Sequence, residues 1–305
     1  MTTFKTILAA TDLSAPARHA VARAFRLAAC TASELHILHA MELDVLDASL
    51  QEILVGDLAA LKAALVDDAR EQLNQLAGNP ACHQGVATHP RVVVGNPLSV
   101  IAAEVDAHDV DLVVVGARGE SFLRHAMLGS TAARLLRKSV RRPILVVKQA
   151  PHEDYRSVLV AVDFSPVSIS AIRMARLLAP AADFVLLHAF EFPYQGKLIF
   201  AGVDEQVIRR YVGNESEVRR KQLHALAAAA GLAPTEYSVR VIHGDPSQQI
   251  IAMEQECAAD LIVVGKHGTH IVEELLLGSV TKHVLAEAQG DVLVIADARE
   301  GVSAC

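Results

Sequence analysis

The segment DLVVVGARGESFLRHAMLGS, residues 111–130, returns as DLIVVGKHGTHIVEELLLGS at 260–279, with nine of twenty positions identical. Two more pairs keep the same 149-residue frame: ELHILHA (34–40) with DFVLLHA (183–189), and VVVGNPLSVI (92–101) with VIHGDPSQQI (241–250). The openings ILAATDLS (7–14) and VLVAVDFS (158–165) match at an offset of 151, so the first helix differs by two residues between copies. The chain is therefore a tandem duplication, and its 305 residues suffice for two cores. The seam QAPHEDY (149–155) is polar with a proline between apolar runs, as a short linker would be. The expected domains are 1–148 and 156–298, with 149–155 as linker and 299–305 as a tail.

Within the first copy the short apolar runs are FKTILAA, ELHILH, RVVVG, DLVVVG and PILVVK. Nearly continuous apolar strands imply burial on both faces, hence a parallel sheet covered by helices. Between the second and third runs Leu50, Leu54, Leu58, Leu61, Leu65, Ala69, Leu73 and Leu76 recur every three or four residues, a stripe that predicts a core-facing helix. Ser14 and Ser165 stand where N-caps belong, and Pro166 suits a first helical position. The fold class is α/β, a βαβαβαβαβ unit occurring twice, each an open, Rossmann-like five-stranded parallel sandwich.

Composition narrows the function classes. Hydrophobic residues make up 52%, yet no run approaches the roughly 20 apolar residues of a membrane span. The opening MTTFKTILAATDLS has neither basic leader nor cleavage site, so a cytoplasmic protein is expected. Four scattered cysteines, Cys30, Cys82, Cys257 and Cys305, fit a reducing compartment and form no zinc-knuckle spacing. The net charge of −7 carries no general nucleic-acid footprint. Arg134, Arg137, Lys138 and Arg141 line one helix face, read as a solvated face near a helix C-terminus.

In an open parallel sheet, ligands bind beyond the C-terminal strand ends where strand order reverses. With the first strand central, that crevice lies between strands one and four. It is flanked by Asp12 and Gly116 in one copy and by Asp163 and Gly265 in the other. Gly116 and Gly119 are expected to take positive φ and admit a ligand close to the backbone. Gly129 and Ser130 would open the next helix, whose free N–H groups and positive dipole end attract phosphate. The nine intervening residues suit an elongated anion, and Asp12 an adenine or ribose group. There is no GxxxxGK[ST], and no GxGxxG follows either first strand.

These residues resemble the universal stress proteins, whose nucleotide-binding members carry Gly-x2-Gly-x9-Gly-(Ser/Thr). Both copies fit it, with Gly116, Gly119, Gly129 and Ser130, and with Gly265, Gly268, Gly278 and Ser279. The likeness extends to TDLS and VDFS, to the strand-end LHA, and to GNP and GDP before the third helix. It implies the adenine nucleotide alpha hydrolase-like sandwich of strand order 3-2-1-4-5. It also implies ATP, with magnesium, as ligand: Asp12 and Asp163 at the adenosine end, the backbone at Ala40 and Ala189 against adenine, and the glycines around the phosphates. Copy two, with GKHGT and GSVT, lies nearer the family pattern than GARGES and GSTAAR of copy one, so the second site ranks first. The resemblance further suggests that PILVVK and DVLVIA pair the domains as an internal pseudo-dimer, with a homodimer as a further option.

The expected function is a stress-response protein that binds ATP and changes partners or stability with occupancy, the protein partner being unknown. No acid, base or arginine in the glycine segment supplies what fast hydrolysis needs, so no catalytic residue is assigned. The alternative is a scaffold or sensor that holds an apolar ligand near EFPYQGKLIF (191–200), with Phe192, Tyr194 and Phe200. Metal binding is not assigned either. His36 and His39, three apart on a strand, point to opposite faces, and His267 and His270 lack carboxylate or cysteine companions.

Overall fold

Each apolar β-branched run becomes a strand, and the strands pair in parallel. The computed structural model describes residues 4–43, 58–79, 83, 85–117, 128–137, 142–192, 197, 200–267 and 277–296. The chain divides into two units, Met1–Asp154 and Tyr155–Cys305. Unit 1 runs β1 (Thr6–Thr11), α1 (Ala15–Thr31), β2 (Glu34–Met41), α2 (Leu58–Ala77), β3 (Thr88–Val94), α3 (Pro97–Ala107), β4 (Leu112–Gly116), α4 (Ser130–Arg137) and β5 (Ile144–Val147). Its strands pair in the order β3-β2-β1-β4-β5.

Unit 2 repeats the plan with β6 (Ser157–Ala161), α5 (Val167–Leu178), β7 (Asp183–Phe190), α6 (Glu205–Ala230), β8 (Tyr237–His243), α7 (Pro246–Glu256), β9 (Leu261–Gly265), α8 (Ser279–Glu287) and β10 (Asp291–Ile295). Its order is β8-β7-β6-β9-β10. In both units the first strand is central and the order reverses between first and fourth strands, as the resemblance implies. Ile7, Leu8, Val113 and Val114, with Leu159, Val160, Ile262 and Val263 in the second unit, are buried. Each such side chain contributes about 1.5–3 kcal/mol.

Local chemistry fixes the helix starts. The Ser14 side chain accepts from Ala17 N at 3.4 Å and caps α1. Asn96 Oδ1 accepts from Leu98 N and Ser99 N, and Asp245 Oδ1 from Gln248 N, each just ahead of a proline that opens α3 or α7. Gly244, at φ 142°, precedes α7 where a Cβ would come within 2.9 Å of Gln249 Nε2.

Two expectations fail. Ser165 caps nothing with its side chain: α5 starts at Val167, Pro166 is the flanking residue, and no side-chain cap bond forms. Asp163 supplies the local bonds instead, through Oδ1 to Ser165 N and Ser168 Oγ, both 3.0 Å. The leucine stripe is core only at its C-terminal half. Ala69 and Leu73 are buried, whereas Leu61 is 37% exposed. Leu50 and Leu54 lie outside the described residues, as do Cys82, Cys305, Lys138 and Arg141. Arg134 and Arg137 occupy the last turn of α4.

The seam is held at both ends. Arg23 on α1 donates to Glu153 O at 2.8 Å, and Arg26 donates to His152 O at 2.7 Å and pairs with Asp154 at 3.1 Å. Tyr155 is buried in unit 2, and its hydroxyl donates to buried Asp291 at 2.6 Å. No described helix is long and apolar enough to cross a membrane.

Candidate functional site

The β1 and β4 ends of unit 1 open into a cavity of about 230 Å³, lined among others by Asp12, Ala40, Gly116, Gly129 and Ser130. At the corresponding ends of β6 and β9, a cavity of about 740 Å³ is lined by Asp163, Ala189, Gly265, Gly278 and Ser279. Ten of the twelve nominated residues thus converge, five per unit. Gly119 and Gly268 lie outside the described residues.

One backbone device recurs at both floors. Leu13 and Phe164, the residues after the two aspartates, have φ of 65° and 61°. This left-handed conformation costs a non-glycine residue about 1–2 kcal/mol. It persists because the surrounding bonds over-determine it. Asp12 Oδ1 accepts from Ser14 N at 3.1 Å and Ser14 Oγ at 2.5 Å, and Thr11 Oγ1 accepts from Leu13 N at 3.0 Å. Asp163 Oδ1 is spent in the same turn, which leaves Oδ2 as its oxygen for a ligand.

The strand-end LHA places a histidine against that turn. His39 Nδ1 lies 2.8 Å from Thr11 O, and His188 Nδ1 lies 2.7 Å from Val162 O. A carbonyl only accepts, so Nδ1 carries the proton in both rings. Burial holds the His188 imidazole below its ordinary value against the opposing pull of that hydrogen bond.

Among the described site glycines, Gly265 and Gly278 are marked by close approach rather than by positive φ. Gly116 and Gly265 end strands, and neither has the left-handed φ expected of Gly116. A Cβ at Gly265 would sit 3.2 Å from His267 O, and one at Gly278 would sit 3.3 Å from Lys266 O. The segment between the two glycine turns is tied at its base: Gly129 N donates to Ala117 O at 2.8 Å, and Gly278 N to Lys266 O at 3.0 Å. Ser130 and Ser279 then start α4 and α8, so each cavity faces a helix N-terminus.

The cavities differ in chemistry as well as size. That of unit 2 also carries Phe164, His188, Arg219 and His267, whereas no arginine or histidine is among the described residues lining that of unit 1. The Arg219 guanidinium lies 5.5 Å from the Phe164 ring centre and pairs with Glu215 at 2.6 Å. Arg219 Nε and His267 Nε2 are buried without a hydrogen-bond partner. Sequence reading missed Arg219 because it comes from a helix rich in charge, far from any motif.

The profile described as the universal stress protein family matches residues 3–148 and again 154–296. The chain belongs to the universal stress protein family. Universal stress protein Rv2623 of Mycobacterium tuberculosis is 28% identical over 250 residues, covering 78% of this chain and 76% of that protein. Universal stress protein Rv2005c of the same species is 27% identical over 195 residues, and the match spans 62% of either length. A universal stress protein from Archaeoglobus fulgidus superposes with a TM-score of 0.67 over 95% of this chain and 98% of its own, at 20% identity. One from Pseudomonas aeruginosa gives 0.62 over 96% and 93%, at 21%. At such identities the superpositions establish the shared tandem fold alone.

For this universal stress protein, Glu191 of the aromatic stretch 191–200 lines the unit 2 cavity, whereas neither Phe192 nor Phe200 is among the described residues lining either cavity. Phe192 packs on Tyr211 with ring centres 4.5 Å apart, Phe200 is 94% exposed, and Tyr194 lies outside the described residues. His39 and His36 do diverge, His39 to Thr11 and His36 to the rings of His89 and His108. His270 lies outside the described residues.

Proposed function

We propose that this universal stress protein is an adenine-nucleotide-dependent regulator in a stress response, with ATP taken as its magnesium complex and unit 2 as the principal site. The observation that carries this reading is the unit 2 cavity, which combines a helix N-terminus, two closely approached glycines and two unpartnered buried nitrogens, on Arg219 and His267. A buried polar atom without a partner costs about 1–3 kcal/mol, and a bound anion removes that cost. Size points the same way. Small-molecule pockets span about 300–1,000 Å³, so the 740 Å³ of unit 2 suits a whole nucleotide and the 230 Å³ of unit 1 does not.

In this reading Asp163 Oδ2 and the backbone at Ala189 meet the nucleoside, Phe164 offers its ring to the purine, and Gly265, Gly268, Gly278 and Ser279 surround the phosphates. Asp12, Ala40, Gly116, Gly119, Gly129 and Ser130 form the vestigial counterpart. The protein works as a switch rather than a fast catalyst. Phosphoryl transfer needs an oriented nucleophile, and Asp163 is committed through Oδ1 to its own turn.

Isothermal titration of MgATP into the full chain tests this. One nucleotide per chain is expected, with binding abolished by Gly278→Val and kept by Gly129→Val. No heat from the intact protein, or the reverse pattern of the two variants, sinks the reading.

A further inference from the structure

Far from the nucleotide crevice, the sheet of unit 1 gathers a second set of polar side chains. Glu34 and His36 are two apart on β2 and so share a face. His89 is the in-register partner of His36 on β3. These residues lie at the start of β2, whereas Ala40 lines the cavity at its end, about 13 Å away at the usual strand rise. His36 is buried, 8% exposed, with its ring centre 4.8 Å from that of His89 and 4.4 Å from that of His108. Its Nδ1 is buried and has no hydrogen-bond partner.

The surrounding groups have partners of their own. From α3, Glu104 accepts from Arg91 at 2.7 Å and lies 3.2 Å from His108 Nε2, and Arg91 NH1 is 3.2 Å from that same nitrogen. His108 is thus a committed wall of the site. What remains is Glu34, His36 and His89, whose ligand atoms all lie within 4.8 Å of one another. His89 Nε2 and Glu34 Oε2 are 3.4 Å apart.

We propose that Glu34, His36 and His89 form a binding site for a divalent transition-metal cation of the zinc class. Two imidazoles and a carboxylate are a donor set zinc accepts, with a fourth position left to water. Metal–ligand bonds of about 2.0–2.2 Å place tetrahedral ligands about 3.3 Å apart. The Glu34–His89 pair already has that separation. Both of these side chains are half exposed, so they close on the fixed His36 ring by rotamer adjustment.

Unit 2 supplies an internal control. At the equivalent frame it has Asp183, Val185 and Ser238, with Val185 paired in register to Ser238, so the imidazoles are missing there. The site belongs to one copy of the duplication.

Equilibrium dialysis of the full nucleotide-free chain against zinc chloride, with the metal counted by mass spectrometry, tests the site. One zinc per chain is expected, with affinity at least about 10-fold weaker in His89→Ala and in Glu34→Ala. Cobalt(II) in place of zinc should give the visible absorption of a tetrahedral centre, absent in His89→Ala. Because His89 and Glu34 are half exposed, these variants keep the fold and leave the buried His36 untouched. No bound zinc, affinity in both variants unchanged from that of the unaltered protein, or loss of zinc on His267→Ala instead would overturn the proposal.

Discussion

Replacing Phe164 by glycine separates what the residue does for the fold from what it does for a ligand. At φ 61° phenylalanine pays about 1–2 kcal/mol that glycine does not. Against that relief stand the ring contacts with His188, centres 4.5 Å apart, worth about 0.5–1.5 kcal/mol, and with Arg219 at 5.5 Å, worth about 0.5–1 kcal/mol. The opposing sums nearly cancel, so stability should change by less than about 1 kcal/mol. A unit of this size then shifts its midpoint by under about 4 °C. Base-on-ring stacking contributes about 1–3 kcal/mol. Losing it weakens MgATP by roughly 5- to 150-fold at about 1.4 kcal/mol per decade. Phe164→Leu, which reproduces the residue of the first copy, keeps the backbone cost while losing the ring. It should weaken MgATP equally and be less stable than Phe164→Gly. Paired calorimetric titration and thermal melts read both quantities. Unchanged affinity, or a loss of several kcal/mol in stability, would refute the reasoning by making the ring plain core.

Two further outcomes follow from the second unit. Tyr155→Phe removes a buried donor to the buried Asp291 carboxyl, and should cost about 1.5–3 kcal/mol in urea denaturation; an unmoved midpoint means the 2.6 Å bond contributes nothing. His188 is held below the ordinary 6.5, first by burial and also by Arg219, while the Val162 carbonyl, Asp163 and Glu215 pull it up. Below about pH 6.5 the unfolded chain therefore takes up a proton that the folded one refuses, and stability falls with pH until the depressed value is passed. Denaturation at pH 7.5, 6.5 and 5.5 should show this decline, shallower in His188→Gln; identical slopes in both proteins would contradict it.

The strands were legible because a buried parallel strand must be apolar throughout and because the duplication repeats every signal, whereas their order, and with it the crevice, came from the family resemblance. The same repetition brought Asp163, Gly265 and Gly278 to one place in the reading, and the resemblance added Ala189. The role of the glycines was not legible. A sequence shows that Cβ is missing, but whether this frees φ or admits a carbonyl such as Lys266 O depends on packing. Arg219 was hidden among the charges of α6, where a solvated face and a cavity wall look alike. The Glu34, His36 and His89 cluster was hidden by distance along the chain. His36 meets His89 only through the β2–β3 register, which no local spacing encodes.

Leu13 and Phe164 occupy the same left-handed turn with different side chains. The clash that makes this conformation costly involves Cβ, so every unbranched residue there starts from the same handicap, whatever lies beyond. The backbone cost of the slot is thus the same for either side chain, while in unit 2 the side chain lines the cavity. After the duplication, a single residue exchange at this point changes the cavity wall of one half without changing what its backbone turn costs.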